Sequence, residues 1–299
     1  MAGEPPSKRV RRSAGAIMVD LTHARHDRAH VLAPGLFRSI APGDRKRLKL
    51  DVTYQFSPDE QIEFKGFEPL GVMDMRVLQG IVAMAGPDGL LLEDEDRATD
   101  AGRQLMLSLF EPADAAIREA REKPPSLVVR DSLRHLAREI GLTESGTNLK
   151  RIRKSVERLF GVTVFIQKGK KRLGTRLLSS YASDDETGDL YVALNPRLAS
   201  AILGRAPYAR IDLAEVRALD SDPARLMHQR LSGWIDPGKS GEVTADTLAG
   251  YVWPDEASEA QMRWRKAKVR KAVAEIKAAG WRVDEIRKDH WRFIRPRIK

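Results

Sequence analysis

Residues 131–161 read Asp131-Ser-Leu-Arg-His-Leu-Ala-Arg-Glu-Ile-Gly141, then Leu142-Thr-Glu-Ser-Gly146, then Thr147-Asn-Leu-Lys-Arg-Ile-Arg-Lys-Ser-Val-Glu-Arg-Leu-Phe-Gly161. In the first piece Leu133, Leu136, Ala137 and Ile140 recur at i, i+3, i+4 and i+7, which places them on one face of a helix. Asp131 or Ser132 can cap its start, and Gly141 stands where a helix stops. In the third piece Leu149, Ile152, Val156, Leu159 and Phe160 make a second apolar face, while Lys150, Arg151, Arg153, Lys154 and Arg158 lie opposite it. Two amphipathic helices joined by a short glycine-ended turn, the second basic outside, form a helix-turn-helix signature.

The residues that follow extend the signature. Val162–Ile166 is a β-branched run, Lys168-Gly-Lys-Lys-Arg-Leu-Gly174 is a basic turn, and Thr175–Tyr181 is expected to be the return strand. A hairpin directly after such a helix reads as a wing. The pattern repeats downstream. Thr244–Trp253 is a Thr-capped helix with Ala245, Leu248 and Val252 on one face. Pro254–Ser258 is a turn, and Ser258 caps a long basic helix to Gly280 with Met262, Val269, Val273 and Ile276 inward. Trp281–Arg287 and Trp291–Arg295 flank Lys288-Asp-His290 as a second hairpin. The expected fold is therefore α+β: two tandem winged-helix domains, residues 31–195 and 196–299, behind a disordered basic arm over residues 1–30. The arm is read from Lys8-Arg-Val-Arg-Arg12 beside Pro5-Pro6 and from its lack of apolar periodicity.

Charge agrees with this division. Of the 299 residues, the segment 147–176 holds ten Lys/Arg against Glu157 alone, a net of +9. Residues 258–299 hold fourteen Lys/Arg against five Asp/Glu, again +9. The whole chain carries +10, so the remainder is −8. Two basic segments on an acidic background point to two polyanion-binding surfaces. The chain has no cysteine, which excludes disulfides and thiolate zinc sites. It has no apolar run near the ~18 residues that span a bilayer, and a cytoplasmic location without membrane contact is expected.

The remaining segments carry less. Leu48–Phe56 and Gln61–Lys65 read as a hairpin, Asp74–Ala85 as an apolar helix, and 87–100 as an acidic loop. Gln104–Phe110 reads as strand or helix, and Pro112–Lys123 as polar and partly helical. His23, His26 and His30 lack the carboxylate or cysteine company of a metal set, so no metal is expected. Gly233-Trp-Ile-Asp-Pro-Gly-Lys239-Ser240 matches a phosphate-binding loop in letters. Such a loop must follow a strand and open a helix. Here the first glycine closes a helix, Pro237 lacks an N–H, and Gly241-Glu242-Val243 do not start a helix, so no nucleotide cofactor is expected.

Longer runs bring a family into view. Val192-Ala-Leu-Asn-Pro-Arg-Leu198, Ile211–Ser221 and Ala224–Ile235 resemble the iteron-binding plasmid replication initiators. His26–Arg38, Arg45-Lys-Arg47 with Lys49–Tyr54, Leu78–Pro87 and Gly250-Tyr-Val-Trp-Pro254 resemble replication protein C of IncQ-like broad-host-range plasmids. The resemblance covers about residues 22–295. It implies two winged helices, binding to directly repeated origin sites, opening of an adjacent AT-rich segment and recruitment of the plasmid's helicase. It implies no catalytic residue.

The expected partners are double-stranded DNA at tandem repeats, the plasmid-encoded helicase and primase, and further copies of the chain. The acidic run Glu93–Asp96 is either a helicase contact or a solvated loop. On the helices, Thr147, Asn148, Lys150, Arg151, Lys154 and Arg158, and Gln261, Arg263, Trp264, Arg265, Lys268 and Lys271, are the candidate DNA contacts. On the wings they are Lys168, Lys170, Lys171 and Arg172, and Lys288, His290 and Arg292. Asn148, Arg151 and Gln261 are suited to base edges, the wing cations to phosphates. Trp264 reads either as a groove contact or as packing against the turn. Two rivals stand beside this reading. A rolling-circle nickase needs a histidine pair flanking an apolar residue, and His23-Ala-Arg-His26 is spaced wrongly for it. A repressor of a plasmid operon would use the same fold.

Overall fold

The computed structural model describes residues 21–88, 90–92, 126–184 and 187–297. The segments read as an arm before residue 21, as an acidic loop beyond residue 92, and as mixed structure over 104–123 lie outside the described residues, as does the run Glu93–Asp96.

The first helix pair is α4 (Leu133–Glu139) and α5 (Gly146–Phe160). Each starts on a serine whose side chain accepts a backbone N–H of the first turn, Ser132 from His135 and Ser145 from Asn148. Between them Gly141 adopts φ 70°, the left-handed value that lets the chain leave α4 abruptly. Leu133, Leu136, Ala137 and Ile140 bury against Ile152, Val156 and Leu159, the faces that periodicity predicted. Behind both stands α3 (Val72–Asp88), almost wholly buried. The hairpin follows as β6 (Thr163–Lys168) and β7 (Lys171–Arg176), turning at Gly169 with φ 56°.

The second set is α8 (Asp222–Trp234), β11 (Ser240–Thr244), α9 (Ala245–Val252), α10 (Glu259–Ala278), β12 (Arg282–Arg287) and β13 (His290–Ile294). Thr244 caps α9, and Ser258 caps α10. Val269, Ala272, Val273 and Ile276 face inward, and Trp281, Val283, Trp291 and Phe293 close the core beneath the hairpin.

The two sets differ in their sheets. In the second, the strand before the helix pair joins the hairpin, giving the order β11-β13-β12. In the first, the hairpin is widened on its other side by β2 (Leu50–Ser57) and β3 (Glu60–Gly66), giving β2-β3-β6-β7. The strand before the helix pair, β5 (Ser126–Ser132), instead enters a separate sheet of order β4-β5-β9-β8, with β4 at Leu90–Leu92, β8 at Leu178–Ser183 and β9 at Asp189–Leu194. The return strand expected over Thr175–Tyr181 is thus split: the chain changes sheets at buried Leu177, whose N–H donates to the Val162 carbonyl.

The expected arm also needs correction, because order begins before residue 31. His23–Asp27 forms β1, which pairs antiparallel with β10 (Tyr208–Asp212), and Arg28–Leu32 forms α1, capped by Asp27. Its polar groups are paired rather than solvated: buried Asp27 binds His30 at 2.5 Å and Arg197 at 2.9 Å. A boundary was placed near Asn195, but the chain on either side of that residue is stapled together. Asn195 is buried, donates to the Leu177 carbonyl at 2.9 Å and caps α6 (Pro196–Ile202). The β1–β10 pairing and a buried Gln79–Gln229 hydrogen bond of 2.7 Å between α3 and α8 cross the same division. Remaining short helices are α2 (Asp44–Arg47) and α7 (Leu213–Ala218).

Candidate nucleic-acid interface

On α5 the core stripe leaves Thr147, Lys150, Arg151 and Lys154 on the exposed side. Lys150 and Lys154 make no ion pair among the described residues, which leaves their ammonium groups to water or to a ligand. At the tip of β6–β7, Lys168, Lys170 and Lys171 are likewise exposed and unpaired among the described residues. The second set offers Arg263, Trp264, Lys268 and Lys271 on α10 and Lys288 at the hairpin tip. Arg263 is held only loosely, 3.8 Å from Glu259. Each set therefore presents an exposed cationic helix beside a hairpin whose tip is cationic.

Several expected contacts are committed within the protein instead. Arg158 turns inward: its guanidinium binds buried Asp74 at 2.7 and 2.9 Å and Ser155 at 2.9 Å. Asp74 also accepts the Gly71 N–H at 2.8 Å, so this pair pins α5 to the start of α3. Asn148 donates to the Thr143 carbonyl at 3.0 Å and to its hydroxyl at 2.9 Å, bracing the turn. Gln261 completes a capping box by accepting the Ser258 N–H at 2.9 Å. Arg265 donates to the Asp255 carbonyl at 2.7 Å and closes the second turn.

The hairpins show the same division. Arg172 pairs with Glu63 at 3.0 Å and lies over Phe165. Arg292 pairs with Glu242 at 2.6 Å, and His290 accepts from Arg287 at 3.0 Å. Arg158, Asn148, Gln261, Arg265 and His290 thus brace the helices, turns and hairpins, and Arg172 and Arg292 are partly neutralised.

Sequence reasoning also missed the residues that fix the second hairpin to its helix. Arg270 grips Asp289 through two hydrogen bonds of 2.7 Å. That bonding holds the Asp289 carboxyl below the usual carboxylate range and raises the Arg270 guanidinium. Asp289 takes φ 61° at the hairpin tip, a conformation that aspartate tolerates better than most residues. The Gln261 cap had a visible signal in Ser258-x-x-Gln261. The Asp74–Arg158 pair spans 84 residues and had none.

Of the two readings of Trp264, the structure shows the packing against the turn. Its ring rests on Trp253 of the turn, centroids 5.4 Å apart, and Lys268 lies 5.5 Å from its centroid. It nevertheless remains 53% exposed. The phosphate-loop lookalike has the wrong context for a nucleotide: Gly233 packs within α8 against Val31 and Leu32, and Ser240 opens a strand. No group of His, Cys, Asp and Glu among the described residues could hold a metal ion, and no described helix is long and apolar enough to cross a membrane.

This arrangement of two helix–hairpin sets in one mixed α/β chain is one that solved proteins share. Domains 2 and 3 of RctB match it with a TM-score of 0.54 and 11% identity over 86% of this chain and 95% of that one. A second crystal structure of the same RctB domains gives 0.53 and 10%, over 89% and 97%. The sequence is more specific: residues 18–297 match the replication protein C (RepC) family model, and the chain belongs to that family. No curated protein matches it.

Proposed function

We propose that this chain initiates replication by binding duplex DNA with its two helix–hairpin sets acting as paired winged helices. Each of α5 and α10 lies in a major groove, and its hairpin rests on the adjacent backbone. The observation that carries the reading is the pairing, twice in one chain, of an exposed cationic helix with a cationic hairpin tip. Lys150, Lys154, Lys168, Lys170, Lys171, Arg263, Lys268, Lys271 and Lys288 neutralise phosphates and set register. Arg151 stands where a guanine edge could be read. About nine neutralised phosphates give a log–log salt slope near −8.

Membership of the replication protein C family and the likeness to RctB support a replication role over general DNA packaging. The targets in this reading are directly repeated sites at the origin. Several copies on neighbouring repeats bend the DNA and strain an AT-rich segment, a deformation of about 1–6 kcal/mol per site that added contacts can offset. The plasmid's helicase is then recruited, with primase following. No step needs a catalytic residue or a cofactor.

Footprinting on the replicon's origin tests the proposal. Protection recurring with a tandem repeat is the expected result. One protected palindrome at a promoter would favour an operon repressor, and strand nicking of supercoiled origin DNA would contradict the non-enzymatic reading.

A further inference from the structure

We infer that Trp264 is a specificity-determining residue that reads thymine through its C5-methyl group. The inference rests on the placement of α10 in a major groove proposed above. At about 100° per residue, Trp264 and Lys271 fall on the ridge opposite the buried Val269, Ala272, Val273 and Ile276. Three of the side chains on this helix able to read bases by hydrogen bonds are already engaged. Gln261 caps the helix, Arg265 holds the turn, and Arg270 grips Asp289. What stands free is Arg263, Lys268 and Lys271, which suit phosphates, and one indole.

The indole is 53% exposed, so part of its surface is open to a partner. Its neighbours on the ridge, Ala260 and Ala267, are small and exposed, so a partner can approach the ring closely. Its setting is also fixed before any ligand arrives, because Trp253 packs beneath it and Lys268 lies over it. The cations around it select a polyanion as the occupant. In the major groove of a polyanionic duplex, the one apolar group on the base edges is the thymine methyl. A rigid apolar ring framed by lysines fits that methyl, and it discriminates without a hydrogen bond.

The test uses the full chain and two versions of its origin duplex, one made with thymine and one with deoxyuridine, which lacks the methyl. The wild-type chain binds the thymine duplex roughly 3- to 5-fold more tightly for each methyl that the ring covers. Trp264→Ala binds both duplexes equally, at about the wild-type affinity for the deoxyuridine duplex. Trp264→Phe, which keeps a ring on Trp253, retains a thymine preference and guards against a fold defect in the alanine variant. A thymine preference that survives Trp264→Ala overturns the inference, and so does tighter binding of Trp264-dependent complexes to single-stranded than to duplex DNA, which would mean base stacking. Arg263→Ala with Lys271→Ala, which leaves the ring's own contacts in place, separates the two levels. If that variant weakens both duplexes equally, the groove placement of α10 stands whatever Trp264 does. If it changes neither duplex, the placement itself fails.

Discussion

The two helix–hairpin sets share an outline and differ in which groups hold the hairpin tip. In the first, the hairpin tip carries three exposed lysines, Lys168, Lys170 and Lys171, and is held at Gly169, whose N–H donates to the Asp59 carbonyl at 3.0 Å and whose carbonyl accepts from the Gln167 side chain at 2.5 Å. In the second, the tip is cross-linked: Asp289 binds Arg270 of α10, its N–H donates to Glu285 at 3.2 Å, and Arg287 donates to His290. The helices contrast too. The outer side of α5 is lysine and arginine, whereas that of α10 carries an indole braced by a second tryptophan. Exposed lysines bind any phosphate, and a preorganised apolar ring binds only a matching shape. On this account both sets grip phosphates, the first adds a base contact through Arg151, and the second adds an apolar contact through Trp264.

The contrast can be broken most forcefully through the anchors. Asp74→Ala leaves Arg158 without its buried partner and Gly71 without its acceptor. It should destabilise the chain by about 3–5 kcal/mol, the range for breaking a buried pair, read from denaturant unfolding. The matching change in the second set, Arg270→Ala, removes a pair near the surface without touching the strained Asp289 backbone and should cost no more than ~1 kcal/mol. Equal losses would show that the two anchors do not differ in kind.

A second test reaches the seam between the sets. Burial and the neighbouring His30 push the His26 imidazole down to about 4 from 6.5, against the weaker pull of Asp27. Asp27 is itself paired with His30 and with Arg197, which outweighs its burial and holds its carboxyl well below the usual carboxylate range. A histidine depressed in the folded state binds its proton more readily once unfolded. Stability is therefore fully present above pH ~6.5 and falls as pH drops toward ~4, by on the order of 3 kcal/mol. Replacing His26 with Leu should flatten that window in thermal melts; an unchanged slope would remove His26 from the account.

These anchors mark where the sequence was legible. Both helix pairs and both hairpins could be read, because their apolar residues recur at local spacing and their caps lie within a few residues. The sheet containing β5 and β9 was harder, since Val128 and its partner Ala193 lie far apart in the chain. The strand His23–Asp27 was read as part of an arm because its partner at Tyr208–Asp212 is more distant still and its polar residues are satisfied only in three dimensions. The candidate contacts divide similarly. Helix periodicity told Lys150, Lys154 and Lys271 from the core, but it could not tell a free arginine from one that meets an aspartate 84 residues away, as Arg158 does.

Smaller effects sharpen the comparison on DNA. Arg151→Ala should lose ~1–3 kcal/mol of binding and relax one base position; uniform loss on all sequences would move Arg151 to the phosphate class. Changing Lys168, Lys170 and Lys171 together to Ala should reduce the magnitude of the salt slope by about 2.7 without altering sequence preference, against about 0.9 for Lys288→Ala. Anisotropy titrations across a salt series report both.

The most direct measurement is hydroxyl-radical footprinting of one origin repeat with the wild-type chain and two variants. The wild type should protect two adjacent stretches on one side of the duplex. Lys150→Ala with Lys154→Ala should weaken one stretch, and Lys268→Ala with Lys271→Ala the other. A single protected stretch, or a loss of both together whichever helix is altered, would contradict the claim that one chain holds DNA through two separate reading elements.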